Sequence, residues 1–355
     1  MTWNHQPFLN SELVNSAGAG DLAAISNLLA LGADPLWNDS YALLLAAENG
    51  HRACLTLLLE ACSAQSQDAK GLASRALQAA AESGKSECVE LLIPLSDPMA
   101  THSFALRRAA ACGHVDCVRL LIPTSDPKAL ESAALGAAAE DGHVECVRLL
   151  IPVSDPASRD YYALRWAARN GHHSCVQELI PVSDPLSEDS LALRWATLGN
   201  HIECVSLLIP VSNPKANGSH ALALAAAHGH AECVKILIPV SNPKADRSSA
   251  LFRAASNGHV ECARLLLPHS EPTSTHPAPL NEAIANGRLD IVLLMIALDP
   301  TLAGLEDPAQ SRLAALQSGY SELAELLLSV AEARSISESI APAIENTAPT
   351  LAMRL

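Results

Sequence analysis

The chain has 355 residues, a formal net charge of −15, and a composition that is 49% hydrophobic but only 3% aromatic. A chain this acidic is not built to coat nucleic acid or an anionic membrane, both of which need clustered positive charge. With so few aromatic rings the core must be assembled from Ala, Leu, Ile, Val and Cys, small side chains that let helices approach closely.

Read from the start, MTWNHQPFLNSELVNSAGAG carries no basic region followed by an apolar stretch, so no secretory leader is expected. Residues 1–61 read as an N-terminal cap and first repeats, with helical text in 18–35 and 41–59. Residues 62–75 read as an insertion loop, because Gly50 and Gly84 stand 34 residues apart where later glycines stand 29 apart. From 76 to 331 the chain repeats one phrase, clearest as GHVECVRLLIPVSDP at 142–156. Its cysteine recurs every 29 residues, at Cys88, Cys117, Cys146, Cys175, Cys204, Cys233 and Cys262. A residue needed in seven evenly spaced copies is a stacking residue of a solenoid rather than a catalytic one. The longest apolar run, Ile291 to Leu298, is too short to span a bilayer. Residues 332–355 break the pattern and are expected to be a C-terminal cap or flexible tail. The chain is therefore expected to be cytoplasmic and monomeric, with its thiols free and buried.

One repeat, 142–170, gives the local structure. Val144, Cys146, Val147, Leu149, Leu150 and Ile151 make a helix apolar on most sides, which belongs between neighbours. Glu145 and Arg148 are three apart and can pair on its exposed face. Pro152 stops the helix, and Ser-Asp-Pro turns the chain. YALRWAARN then forms a second helix, with Leu164, Ala167 and Ala168 inward and Arg165, Trp166 and Arg169 outward. Ser74, Ser103, Ser132, Ser190, Ser219 and Ser248, two residues before the leading Ala, are expected as N-caps. The closing Asp141-Gly142, Asn170-Gly171 and Asn257-Gly258 suit left-handed C-caps. The predicted fold class is all-α, an α-solenoid of about eleven stacked helix-turn-helix repeats.

The phrase ALxxAAxxGHxECVxLLI resembles the ankyrin repeat, whose helix pair reads roughly LHxAAxxGHxxxVxxLL. The resemblance covers about residues 10–331 and counts eleven units, from their inter-helix turns at Gly20, Gly50, Gly84, Gly113, Gly142, Gly171, Asn200, Gly229, Gly258, Gly287 and Gly319. The period of 29 is shorter than the family's value of about 33. The Thr-Pro-Leu-His tetrapeptide is also missing, its place held by Tyr-Ala-Leu-Arg at 162–165. The resemblance thus implies an ankyrin-like solenoid whose hairpin fingers are clipped to turns. In the ankyrin naming the Ala-rich helix comes first in each pair and the Cys-bearing helix second.

The resemblance also implies a function, which is non-enzymatic binding of a partner protein through the concave face of the first helices. Such arrays also occur in secreted bacterial effectors that engage a host protein, and this alternative stays open. Two rows of positions on that face vary along the chain. They gather Arg107, Arg108, Arg165, Trp166, Arg169, Arg194, Trp195 and Arg253, residue types enriched at binding hot spots. A basic, aromatic cluster in an acidic protein points to a partner with an acidic or aromatic-rich segment. The plainer alternative is that the two Trp fill gaps between repeats and the Arg are merely solvated.

No cofactor, metal or nucleic-acid site is expected. His51, His114, His143, His172, His201, His230 and His259 each precede a Cys at His-x-x-Cys spacing. Zinc needs about four ligands at one point, and neighbouring repeats about 9–10 Å apart cannot pool two each. These His are expected to bond turn carbonyls and cap the second helix. Cys62 and Cys112 lie off the ladder; Cys62, in the insertion, would be the more exposed and reactive thiol of the two, but the preferred reading is an ordinary small apolar residue. Gly18-Ala19-Gly20 follows no strand and is no dinucleotide fingerprint. No phosphate-cradling loop, serine elbow or facing carboxylate pair is present.

Overall fold

The structure, a computed structural model, describes residues 5–271, 279–298 and parts of 312–332. Among the described residues there are α-helices and short 3₁₀ turns and no strand. The chain divides into two compact halves, residues 1–188 and 189–355. The expected tail at 332–355 lies outside the described residues, apart from Glu332.

Each half is a run of helical hairpins. The N-terminal half pairs Gln6–Ala19 with Leu22–Ala30, Trp37–Asn49 with Arg52–Gln65, Ala69–Glu82 with Ser86–Leu92, Ala100–Ala111 with Val115–Leu121, Ala129–Glu140 with Val144–Leu150, and Ser158–Arg169 with His173–Leu179. The C-terminal half pairs Ser187–Leu198, which begins just before the division, with Ile202–Leu208. It continues with Ala216–His228 and Ala231–Leu237, Ala245–Asn257 and Val260–Leu266, and Pro279–Ala285 and Leu289–Leu298. Within a half, first helices pack on first helices and second helices on second helices.

The repeated residues explain this stacking. Leu164, Ala167 and Ala168 are buried, as are Cys146, Val147 and Leu150. Alanine on the inner face of the first helix lets adjacent backbones approach, and Leu fills the space between layers. The second helices are only seven residues long where Ile-Pro follows. Proline closes each into a 3₁₀ turn such as Ile151–Val153, because the ring removes a donor and fixes φ. Acidic side chains (Glu87, Asp116, Glu145, Glu203, Glu232, Glu261) sit in the first turn of these helices, where the macrodipole favours them. Arg148 reaches back to Glu145 at 2.5 Å and across to Glu178 of the next repeat at 2.9 Å.

Three expectations need correction. The 62–75 stretch is not an insertion loop. Arg52–Gln65 and Ala69–Glu82 are each fourteen residues long, and only 66–68 lie between them. Without the Ile-Pro stop, the second helix of this repeat runs on for two more turns. Cys62 therefore sits on a helix, 1% exposed, with its Sγ 3.5 Å from the Pro35 carbonyl. Burial pushes its thiol up to about 11, whereas Cys112 is the partly exposed thiol.

The serines are not N-caps. Their helices begin with a left-handed turn, φ between 45° and 65° at 38–40, 101–103, 130–132, 159–161, 188–190, 217–219 and 246–248. Nearly all of these residues carry a side chain, and each left-handed residue of that kind costs roughly 1–2 kcal/mol relative to the right-handed helix. In most of these turns the third residue is a buried serine. Ser103, Ser132, Ser190, Ser219 and Ser248, together with Ser74 in the regular helix Ala69–Glu82, accept a hydrogen bond at 2.8–3.0 Å from a backbone N–H 23 residues onward. That N–H belongs to the second residue of the Ser-Asp-Pro turn or its equivalent, so the hydroxyl joins the two ends of one repeat. The Asp or Asn side chain of the same turn accepts from the N–H two residues on, as Asp126 does from Lys128 at 2.9 Å.

The histidines bond carbonyls, as expected, but do not cap their own helices. No side-chain cap bond is made at His143 or His230. Instead His51, His114, His230 and His259 place Nε2 at 2.8–3.1 Å from a carbonyl at the end of the preceding repeat's first helix. Asn49 and Asn257 donate to the same carbonyls as His51 and His259. These C-terminal carbonyls have no partner within their own helix, so the next repeat supplies it.

Candidate functional site

The outward face of the first helices is built by the same register that buries Leu and Ala. In Ala100–Ala111, Leu106, Ala109 and Ala110 are buried, which turns Arg107 and Arg108 outward. In Ser158–Arg169 the same register turns out Tyr162, Arg165, Trp166 and Arg169. Between them, Ala129–Glu140 presents only Gly136 and Ala137 at the matching places. Large residues on two first helices flank small ones on the third. The result is a groove of about 230 Å³, with Arg107 and Arg108 on one side, Tyr162 on the other and Gly136 within it.

Gly136 is needed because a Cβ there would lie 2.9 Å from the Tyr162 ring. Tyr162 donates its hydroxyl to Glu140 at 2.9 Å, and burial together with that carboxylate pushes its pKa up to about 12. The Tyr162 and Trp166 rings lie 5.4 Å apart, and the Arg169 guanidinium sits 4.5 Å over the Trp166 ring. Contacts of this kind contribute about 0.5–1 kcal/mol at exposed sites.

The arginines of this half have partners within the protein. Arg108 pairs with Glu82, and that bond holds its pKa above the usual value. Arg165, with 14% of its side chain exposed, donates to the Arg159 carbonyl at 2.5 Å and pairs with Glu188 at 3.1 Å. Arg107 donates to the carbonyls of Thr101 and His102, both at 3.2 Å, and lies 5.2 Å over the Phe104 ring. Burial lowers its pKa. Arg107 and Arg165 thus both serve the left-handed turns, whose carbonyls point toward the first-helix face.

In the C-terminal half, Arg194 and Trp195 are half-buried on Ser187–Leu198, and Arg253 is exposed on Ala245–Asn257. The Arg194 guanidinium lies 3.4 Å from His220 Nδ1 on the intervening helix Ala216–His228. Burial and the charges of Arg194 and Arg253 hold His220 below the ordinary histidine value. The sequence reading missed His220. It stands outside the Gly-His refrain, four residues past the start of its helix, and only the stacking brings it against Arg194.

Among the described residues no group of three or more His, Cys, Asp or Glu is placed to hold a metal ion. Among them too, no helix is long and apolar enough to cross a membrane.

Stacked helical hairpins define a helical repeat protein. The profile described as Ankyrin repeats (3 copies) matches the chain in overlapping windows, 13–102, 43–131, 77–160, 106–189, 164–247 and 239–303. The chain belongs to the ankyrin repeat family, whose repeats generally mediate protein–protein interaction. No curated protein matches it.

Proposed function

We propose that the protein is a non-enzymatic scaffold that binds a partner protein through its first-helix faces. In the N-terminal half the contact residues are Arg107, Arg108, Arg165, Trp166 and Arg169; in the C-terminal half they are Arg194, Trp195 and Arg253. The observation that carries this reading is the groove beside Gly136, where Gly and Ala stand between Arg and Tyr. Stacking alone would favour the same residue in every repeat, whereas this face changes from one repeat to the next. Arg and Trp are the residue types whose burial contributes most to interfaces. The partner's complementary segment is acidic or aromatic-rich, matching a basic, ring-bearing face.

The test compares capture of a partner by wild type and by the Trp166→Ala/Trp195→Ala double variant, after matching their melting temperatures. Loss of two such anchors is expected to weaken capture by well over tenfold, since a hot-spot truncation costs about 2 kcal/mol or more. Equal capture of the same partner by both proteins would show the two rings to be structural and the reading wrong.

A further inference from the structure

Arginine recurs at one place of the first helices in the N-terminal half, and its side chain reaches the same acceptors each time. Arg107 donates Nε to the His102 carbonyl and Nη2 to the Thr101 carbonyl, both at 3.2 Å. Two repeats on, Arg165 donates to the Arg159 carbonyl at 2.5 Å. All three carbonyls belong to the left-handed turns that open these helices. The repeat between them has Gly136 at that place. Its turn, 130–132, has the same left-handed geometry, yet among the described residues no side chain donates to the Leu130 or Glu131 carbonyl. A carbonyl has two lone pairs, so each can accept such a bond.

The groove of about 230 Å³ runs over this place, with Glu131, Ser132, Gly136 and Asp155 in its wall. It is smaller than the roughly 300–1,000 Å³ of a site for a drug-sized molecule, and suits one side chain. Its charges favour a cation. Arg159 pairs with Glu131 at 2.7 Å and Arg108 with Glu82. Asp155 and Glu140, also in the wall, have no ion pair among the described residues. Against these two carboxylates stands one cation, Arg107, whose guanidinium is held by its own turn and lies 5.2 Å over the Phe104 ring. Neighbouring repeats about 9–10 Å apart put it near one Debye length from a second cation in the groove, so their repulsion is weak at physiological salt.

We infer that the groove is an arginine seat that the chain does not fill itself, and that it takes an arginine side chain of the partner. The guanidinium donates to the Leu130 and Glu131 carbonyls as Arg107 donates to Thr101 and His102, with Asp155 beside it. This deepens the interaction reading above and rests on it. It adds one basic residue to a partner segment that is otherwise acidic or aromatic-rich. A lysine does not match the site, because its ammonium lacks the planar fork that serves two carbonyls side by side. The Tyr162 ring closes the other wall. A Cβ at residue 136 would lie 2.9 Å from that ring, so the seat is open to a side chain arriving from solvent and closed to one growing from residue 136.

The test uses the isotope-labelled full chain and the capped tripeptide acetyl-Gly-Arg-Gly-amide, followed by NMR at the Gly136 amide and the Tyr162 ring, with the Lys and Glu tripeptides as controls. The Arg peptide is expected to shift both signals and to bind more tightly than the Lys peptide, and the Glu peptide to leave them in place. Asp155→Asn keeps the turn bond, which Asn213 and Asn242 make in other repeats. It is expected to weaken the Arg peptide about tenfold, the loss of one charge-assisted contact. Glu145→Gln, which removes an equal charge from a second helix, is expected to leave affinity unchanged. Gly136→Arg/Tyr162→Ala, in which the ring no longer opposes a side chain at 136, fills the seat from within and is expected to abolish the shifts. Equal binding of the Arg and Lys peptides, larger shifts with the Glu peptide, or the same loss in Asp155→Asn and Glu145→Gln would each overturn the assignment, the last by showing general attraction of a cation to an acidic chain. If partner capture depends on Trp166 and Trp195 while the Arg peptide leaves Gly136 unmoved, the scaffold reading stands and this one fails. If the Arg peptide binds at Gly136 while capture survives loss of both rings, the arginine seat stands and the contact residues proposed above fail.

Discussion

Gly113 meets two demands at once. Its φ is +74°, and a Cβ there would lie 2.4 Å from His143 Nδ1 of the next repeat. The same pairing joins Gly20 to His51, Gly84 to His114, Gly142 to His172 and Gly229 to His259. Where the histidine is absent another side chain covers the glycine, Lys85 over Gly50 and Arg288 over Gly258. Gly113→Ala should therefore cost more than the roughly 1 kcal/mol of a left-handed alanine, because the imidazole must also move. In the double variant Gly113→Ala/His143→Ala the steric part disappears, and the combined loss should be less than the sum of the two single losses by thermal or urea unfolding. Additive losses would mean that the imidazole does not press on this glycine. The Gly-His dipeptide was plain in the sequence, but as neighbours within one repeat. That the glycine of one repeat packs under the histidine of the next follows only from stacking.

At the scale of the element, the left-handed first turn is the feature that propensity could not reveal. Serine before Ala-Leu is an ordinary N-cap signal, and nothing local says that the hydroxyl will instead bond an amide 23 residues away. The repeat containing Tyr161 provides an internal test. Tyr161 occupies the serine place of its turn and brings no Oγ to the Asp184 N–H. Tyr161→Ser should restore the bond seen at Ser132–Asp155 and stabilise the N-terminal half by about 1 kcal/mol, the usual net contribution of such a bond. The gain should be seen as a rise in melting temperature and as slower amide exchange at Asp184. Unchanged exchange there would show that the tyrosine ring already serves the turn as well as a hydroxyl. Helix ends were legible where one residue decides them, as at Pro152 and Gly142. The long helix Arg52–Gln65 was not, because a helix that simply continues leaves a weaker mark than one that stops.

For the molecule as a whole, the cysteine ladder links stability to alkaline pH. Cys117, Cys146 and Cys175 in the N-terminal half, and Cys233 and Cys262 in the C-terminal half, have thiols pushed from 9.0 up to about 11, with burial the largest cause. The folded state therefore holds these protons more tightly than the unfolded chain. Their contribution is fully present below pH 9 and is lost as pH rises from 9 through 11. The urea midpoint should be flat near neutrality and fall over that window. The triple variant Cys117→Ala/Cys146→Ala/Cys175→Ala should show a shallower fall than wild type. An equally steep decline would place the alkaline transition on other groups.

The sequence by itself determined the period, the all-α class, the alternation of Ala-rich and Cys-bearing helices and the family. Each of these rests on local signals: apolar spacing, a proline that stops a helix, a glycine that turns one. It also placed Trp166, Arg165 and Arg194 on the outward face, because helical register fixes which side chains point together. Only the tertiary structure decided what those side chains meet. Arg108 is paired with Glu82, Arg107 donates to turn carbonyls, Cys62 is buried, and His220 meets Arg194. The contacts of Arg108, Cys62 and His220 depend on which residue of the neighbouring repeat comes to lie opposite, 26 or 27 positions away, and that register is set by the stacking of the repeats rather than by any one of them.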